Sequence, residues 1–474
     1  MAKGIGRYIW CKARQARYAR SVCRRHGRTR SGRRSACTRR FGVCWTKFPR
    51  WSGNAFSHGG ADILRRLIAY AEKVFGFSGA VVAGVIDRRL QPRIPTAVIF
   101  KSVIVLFWAR MGSLNALELT ARSRFFRHWL GQSGCSADTI GRVHALMDAE
   151  GLRQGIHHIY DRLKRNKAMP DHGGIGVAAL DGHESHTSYL QHCAGCLERT
   201  IHGKDGKADR IQFYHRQVTL MLLPAARPGC DPIRLLLDVE PQRAGEDEVA
   251  TALRLLARVI GSYPRAFDLV LADALYASAP FFNFLLAHGK HALTVLKDDR
   301  RHLYQDAAAL FAAVAPKEGS FRDRQCQWWD FSGLLTWPQV HTPVRVIRSL
   351  ETHSVKRQLD GKVELKTSDW VWVTTLPVQS VVTGRVVGFG HQRWDIENYG
   401  FNELVHGWHA DHIYRHDPNA IECFLLIAFL ACNIFHAFFL LNLKPAIRKG
   451  KTQLFWRSLM ATEIYAAIRP AISP

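Results

Sequence analysis

Apolar residues are spaced in two ways along this chain, and the change of spacing divides it. From Ala61 to about Lys167 they recur every three or four positions in ADILRRLIAYAEKVF, PTAVIFKSVIVLFWAR, NALELTARSRFFRHWL and SADTIGRVHALMDAEGLRQGIHHIYDRLKR, with Pro or Gly-Ser breaks between. That period predicts helices throughout. After a linker at Pro170–Gly176, strand-like runs alternate with helical ones. GIGVAALDGHES, IQFYHRQVTLMLL and PIRLLLDVEPQ read as three strands, and EDEVATALRLLARVIGSY as a helix whose acidic opening suits its dipole. DLVLADALY is a fourth strand, APFFNFLLAHGK a helix and ALTVLK a fifth strand. Three adjoining strands, then helix, strand, helix, strand, predict an α/β fold: a mixed sheet flanked by helices.

From about Phe321 to Val382 the texture turns strand-rich, in WWDFSGLLTW, PVRVIRSL and WVWVTTL, which predicts an inserted antiparallel piece. HQRWDIENYGFNELVH, His391 to His406, then reads as an amphipathic helix, with Trp394, Tyr399, Phe401 and Leu404 spaced to pack on neighbours. Cys423 to Leu441 is apolar enough to invite a membrane reading, but Asn433 and His436 interrupt it, so a buried core helix is expected and no membrane. KPAIRKGKTQLFWR reads as a basic, solvated tail that could graze DNA. The expected division is 1–55 as a basic N-terminal segment, 56–170 as a helical domain able to bind DNA, 171–312 with 383–443 as a core, 313–382 as a β-rich insertion and 444–474 as the tail.

Charge adds a partner to this outline. The 474 residues are 47% hydrophobic, enough for more than one small core, and carry a formal charge of +27, a field that favours a polyanion such as nucleic acid. Residues 1–50 hold 16 Lys or Arg and no Asp or Glu, leaving +11 for the rest. That segment lacks apolar periodicity and is expected to be disordered; a DNA-binding arm, an Arg-rich transit peptide and an early-called start codon all remain open. Eleven scattered cysteines with no secretory segment ahead of them favour a reducing cytoplasm over a disulfide scaffold.

Candidate chemistry sits where the apolar runs end. VAALDGHE and DLVLADALY each run into an aspartate, Asp181 and Asp273, the pattern of a buried strand whose carboxylate emerges at its end. Arg393 and Glu397, four apart on the predicted helix, present a guanidinium and a carboxylate on one face; an ordinary ion pair has the same spacing. Two strand-end aspartates and a helix glutamate can converge on a divalent cation, and hard oxygen donors suit Mg2+ or Mn2+. Glu184, Asp268, Asp395 and Glu403 compete for these places. Lys297, at the end of the fifth strand, could meet DNA or belong to a charged turn, as could Arg122, Arg124, Arg127 and His128 on the helices. Cys193 and Cys196 form a CxxC with His192, His202 and His215 nearby, open to zinc or to two ordinary thiols.

The order of elements, Asp181 and Asp273 at strand ends, the long insertion and RWDIENYGFNEL together resemble the IS4-type DDE transposases, over roughly Gly174 to Leu443. That family's signature is Tyr, two residues, Arg, three residues, Glu, six residues, Lys. Arg393 and Glu397 match it, while Gly390 and Leu404 stand at the Tyr and Lys positions, with His391 and His406 as possible substitutes. The resemblance implies a ribonuclease H-like core and two Mg2+ or Mn2+ ions held by Asp181, Asp273 and Glu397. It also implies double-stranded DNA ends and target as substrates, a homodimer in the DNA complex and a bacterial cytoplasmic, nucleoid-associated location. Water would first cut at the element's ends, and the freed 3'-hydroxyl would then attack target DNA, with Arg393 and Lys297 on phosphates. A catalytically inactive DNA-binding derivative and a simple metal-dependent nuclease are the alternatives.

Overall fold

The computed structural model describes residues 62–466 apart from 204–207, 227–230, 298–300 and 357–360. The basic segment 1–50 therefore lies outside the described residues, as do Asp298, Asp299 and Arg300 beside Lys297. The described residues cluster as one compact unit.

Among the described residues six α-helices come first: α1 (Ile63–Phe75), α2 (Thr96–Trp108), α3 (Leu114–Thr120), α4 (Arg124–Leu130), α5 (Ala137–His144) and α6 (Ala149–Arg165). Two of the expected long helices are each split in two. Ser123 and Asp148 cap new N-termini inside them, the Ser123 hydroxyl accepting from Phe126 N and the Asp148 carboxylate from Glu150 N. Arg122, Arg124, Arg127 and His128 are exposed around the α4 start.

The sheet follows: β1 (Val177–Ser188), β2 (Leu197–Ile201), β3 (Arg210–Leu222) and β4 (Leu235–Pro241), helix α7 (Glu248–Ser262), β5 (Leu269–Ala272), α8 (Ala279–Ala287) and β6 (His291–Val295). β1 pairs antiparallel with β3 and parallel with β5, β4 lies antiparallel on β3, and β6 runs parallel to β5. This is the mixed sheet flanked by helices that the alternation predicted, and it is consistent with the ribonuclease H-like core that the resemblance implied. Sequence reading missed β2, whose LERTI is too polar and short to stand out, and α9 (His302–Ala313).

The insertion does not stand apart from the sheet. β7 (Lys317–Phe321), β8 (Arg324–Leu334), β9 (Val344–Lys356) and β10 (Val363–Thr374) form an antiparallel set, and β10 pairs with β6 through Trp372 opposite Val295, so all ten strands join one sheet.

Helix α10 (Thr383–Gln392) leads into the expected amphipathic stretch, which is not a regular α-helix: it continues as π-helical turns at Ile396–Phe401 and Glu403–Gly407. Such wide turns recur at functional positions. Within it Phe401 and Leu404 are buried as expected, whereas Trp394 and Tyr399 remain 40% and 44% exposed, each under a guanidinium, that of Arg393 and of Arg234.

The apolar stretch near residue 430 is helix α11 (Pro418–Ala437), and it is buried inside the protein. The polar residue that interrupts it is matched to the neighbouring strand. Asn433 Oδ1 accepts from Leu236 N (3.0 Å) and its Nδ2 donates to Leu236 O (2.8 Å), bonding to β4 much as a strand would. α11 packs against α2, α6 and β4, so the helices before residue 170 share one hydrophobic core with the sheet. The change of spacing near Pro170 marks a change of secondary structure and not of core. The expected solvated tail is corrected as well. It contains α12 (Gln453–Ala466), whose Trp456, Met460 and Ile464 are buried at four-residue intervals, and Glu463 accepts from Ile63 N (2.6 Å) and Leu64 N at the start of α1.

Candidate active site

Strand register builds the site. Val177, Ala178 and Ala179 of β1 lie beside Leu269, Val270 and Leu271 of the parallel β5. Continued by two residues, that register sets Asp181 next to Asp273, where β5 has just ended. Both strands are fully buried up to this point, but only β5 ends there: β1 runs on to Ser188, so Asp181 emerges in mid-strand, just past the stretch paired with β5, and not at the strand end that the apolar run suggested. Asp273 is fixed by capping the short turn Ala274–Tyr276, accepting from Leu275 N at 2.8 Å. Asp181 accepts from the next backbone N–H, Gly182 N, at 2.9 Å.

Glu397 arrives from the π-helical turn, and Arg393 joins it to Asp181. Arg393 Nη1 donates to Glu397 Oε1 at 2.9 Å and to Asp181 Oδ2 at 3.3 Å. Because one nitrogen serves both, the two carboxylate oxygens lie no farther apart than those two bonds end to end. The guanidinium is buried, with the Trp394 ring 4.3 Å away, while Glu397 keeps 39% of its side chain exposed. Burial pushes the Asp181 carboxyl up to about 7; Arg393 opposes that rise, and the negative charges of Asp273 and Glu397 add to it. An unperturbed aspartate would be ionised at neutral pH, and burial is what alters this. Arg393 bridges Asp181 and Glu397, and the register sets Asp273 beside Asp181, giving three hard-oxygen donors of the kind a divalent cation takes.

The competing acids are occupied elsewhere. Glu184 pairs with Arg199 (2.8 Å), Asp395 with Arg234 (2.9 Å) and Glu403 with Arg457 (3.1 Å), and Asp268 accepts from Gly176 N (2.8 Å). Lys297 is exposed two residues past the end of β6, the strand parallel to β5, and so projects from the same edge of the sheet as the carboxylates. A residue that sequence reasoning missed supports the site from behind. Glu248, in the first turn of α7, packs so closely over Gly182 that a Cβ there would overlap its carboxylate, and it accepts from the Tyr276 hydroxyl at 2.8 Å. It thereby ties the turn carrying Asp273 to the strand carrying Asp181. Its one signal in the sequence was the acidic helix start.

The two odd signature positions have a packing explanation. A side chain at Gly390 would run into the Trp372 indole, and Leu404 is 5% exposed among the apolar residues lining a small cavity with His183, Phe401 and Phe429. His391 does not face the carboxylates as a substitute: its Nε2 meets Glu351 Oε1 at 2.7 Å and its ring stacks on Phe321. His406 is exposed.

Among the other sequence candidates, Cys193 and Cys196 converge with His215 and with His416, a residue sequence reading had not considered. His192 stacks instead on Phe213, and His202 pairs with Asp209.

The family described as Transposase DDE domain matches residues 183–434, more than half of the chain. No curated protein matches the chain.

Proposed function

The chain belongs to the transposase DDE domain family, and from that premise we propose that it is an IS4-type enzyme that cleaves DNA at the ends of an insertion sequence and joins the freed 3'-hydroxyl to target DNA. The observation that carries this reading is that Asp181 and Glu397 share Arg393 while the β1–β5 register sets Asp273 beside Asp181, three acids from segments far apart in sequence.

Asp181, Asp273 and Glu397 would hold Mg2+ or Mn2+, as a pair of ions. Bound there, the ions neutralise charge on the reacting phosphate and lower the pKa of the attacking oxygen. The protein's own groups position the substrate. Arg393, fixed between two carboxylates and the Trp394 ring, offers its planar fork to a phosphate oxygen beside the scissile bond. Lys297, at the same edge of the sheet, tracks the backbone farther out. Glu248 and Tyr276 hold the segments carrying Asp181 and Asp273 together, so the same geometry serves both steps: water attacks phosphorus and releases the 3'-hydroxyl, and that hydroxyl then attacks a target phosphodiester and expels another. The basic charge of the chain supports double-stranded DNA as partner, and the two ends of an element call for two copies of the chain in the complex. Its place of work is then the bacterial cytoplasm, on the nucleoid.

Labelled duplexes carrying the element's ends separate the possibilities, with cleavage and joining measured apart in Mg2+. The proposal expects both. Cutting without joining would identify a nuclease, and binding without either step an inactive derivative.

A further inference from the structure

Away from the carboxylates, two cysteines and two histidines meet at one point. Cys193 and Cys196 sit in the turn between β1 and β2, His215 lies on β3, and His416 immediately precedes Asp417, the N-cap of α11. Their four donor atoms lie within 4.8 Å of one another. The sulfurs are 3.8 Å apart. Cys193 Sγ is 3.4 Å from His215 Nε2, Cys196 Sγ is 3.3 Å from His215 Nε2 and 3.4 Å from His416 Nε2, and the two imidazole nitrogens are 3.4 Å apart. A tetrahedron built on ordinary zinc–sulfur and zinc–nitrogen bonds has edges of about 3.8 Å between sulfurs, about 3.5 Å between sulfur and nitrogen and about 3.3 Å between nitrogens. The five separations reproduce those edges closely, and the sixth, Cys193 to His416, lies within 4.8 Å. A disulfide needs a sulfur separation of about 2.05 Å, so the pair is two free thiols. The backbone is shaped around the cluster too. Cys193 N donates to Cys196 Sγ (3.2 Å), tightening the CxxC knuckle, and Gly195 lies so close to Pro418 that a Cβ there would come within 2.9 Å of the proline ring.

We propose that Cys193, Cys196, His215 and His416 form a structural zinc site. With two thiolates, two imidazoles and no position left for water, it is a closed site of the kind that fastens chain segments and performs no hydrolysis. What it fastens follows from where the ligands lie. His215 belongs to the strand on which Thr219 sits opposite Asp181, and the knuckle follows directly on β1. His416 ends the segment that runs on from Glu397. Zinc therefore clamps the stretch delivering Glu397 onto the strand pair delivering Asp181, joining residues 220 positions apart. This site is independent of the DNA chemistry proposed above: it would exist in a nuclease or a binder as well.

The test uses the full chain expressed with zinc in the medium. Elemental analysis after gel filtration is expected to give one zinc per chain, and replacement by Co2+ to give the strong visible bands of a tetrahedral ion with thiolate charge transfer. Cys193→Ser and His416→Gln are each expected to weaken binding of zinc alone by at least about tenfold. Should the variants fail to fold, alkylation of the unaltered protein decides: zinc is expected to protect Cys193 and Cys196 specifically. A chain that holds less than about a tenth of an equivalent of zinc and whose two thiols react equally fast with and without added zinc would overturn the site. So would a cobalt spectrum lacking thiolate charge transfer.

Discussion

Two places in this protein gather polar side chains from distant segments, and they are built to opposite specifications. At the carboxylate site the donors are hard oxygens, the side chain of Glu397 is 39% exposed, and burial, with the charges of Asp273 and Glu397 added, pushes Asp181 up to about 7 despite Arg393. At the cysteine–histidine site the donors are soft, number four and already stand at tetrahedral distances. The first is unfinished without a substrate and suits ions that keep open positions; the second is complete in itself. Convergence alone does not identify an active site: the balance of charge and the openness of the donors do.

The largest expected effect breaks the comparison at its catalytic side. Asp181→Ala, Asp273→Ala and Glu397→Ala are each expected to lower cleavage and joining by roughly a thousandfold or more while duplex binding, read by gel shift, stays near that of the unaltered protein. Normal joining by any one of them would remove that residue from the set.

Next comes the opposite pattern. Cys196→Ser is expected to cost about 3 kcal/mol of stability, read as a lower Tm, yet to reduce cleavage in Mg2+ by less than about tenfold at a temperature where the variant is folded. A variant with normal Tm but no cleavage would exchange the roles assigned to the two sites.

A smaller effect concerns the neighbourhood of the carboxylates. Gly390→Tyr, which restores the signature residue, is expected to destabilise by about 1–3 kcal/mol, because the ring must displace Trp372, and to bring no gain in joining rate. Faster joining would mean that the missing tyrosine, and not the packing, governs this position.

The smallest effect uses a carboxylate that belongs to neither site. Burial pushes Glu463, at the start of α1, up to about 7 from an ordinary 4.5, so the folded chain takes up a proton there before the unfolded chain does. That contribution to stability is full below about pH 4.5 and is lost as pH rises through about 7. Glu463→Gln is expected to flatten the fall in stability across this window by about 1–2 kcal/mol, after allowance for partial exposure. Mg2+ should leave the Glu463 share of the slope untouched and abolish the share due to Asp181, which separates a metal-binding carboxylate from a merely buried one.

The carboxylate site was largely legible in the sequence because each of its parts has a local signal. Asp181 and Asp273 end apolar runs, and Glu397 lies four residues from Arg393. Burial of their strands made the rest follow. The cysteine–histidine site was only half legible: CxxC is local, but His416 is separated from Cys196 by most of the catalytic core, and nothing near it in sequence marks it as a ligand. The same limit applies to Gly390, whose meaning depends on an indole supplied by β10. The tail was misread for another reason. Its lysines and arginines dominate the composition, and they concealed the four-residue spacing of Trp456, Met460 and Ile464.

Helix α11 carries a consequence for how the molecule comes into being. It is covered on every side, by α2 and α6 from the beginning of the chain and by β4 from the middle, with Trp108 Nε1 donating to Ala431 O at its centre. A ribosome that has yet to release residues 418–437 therefore exposes helices and strands whose shared apolar filling is still missing. Neither the carboxylate pocket nor its supporting layer can set before this helix has been made, so fragments cut short ahead of it should emerge sticky and inert.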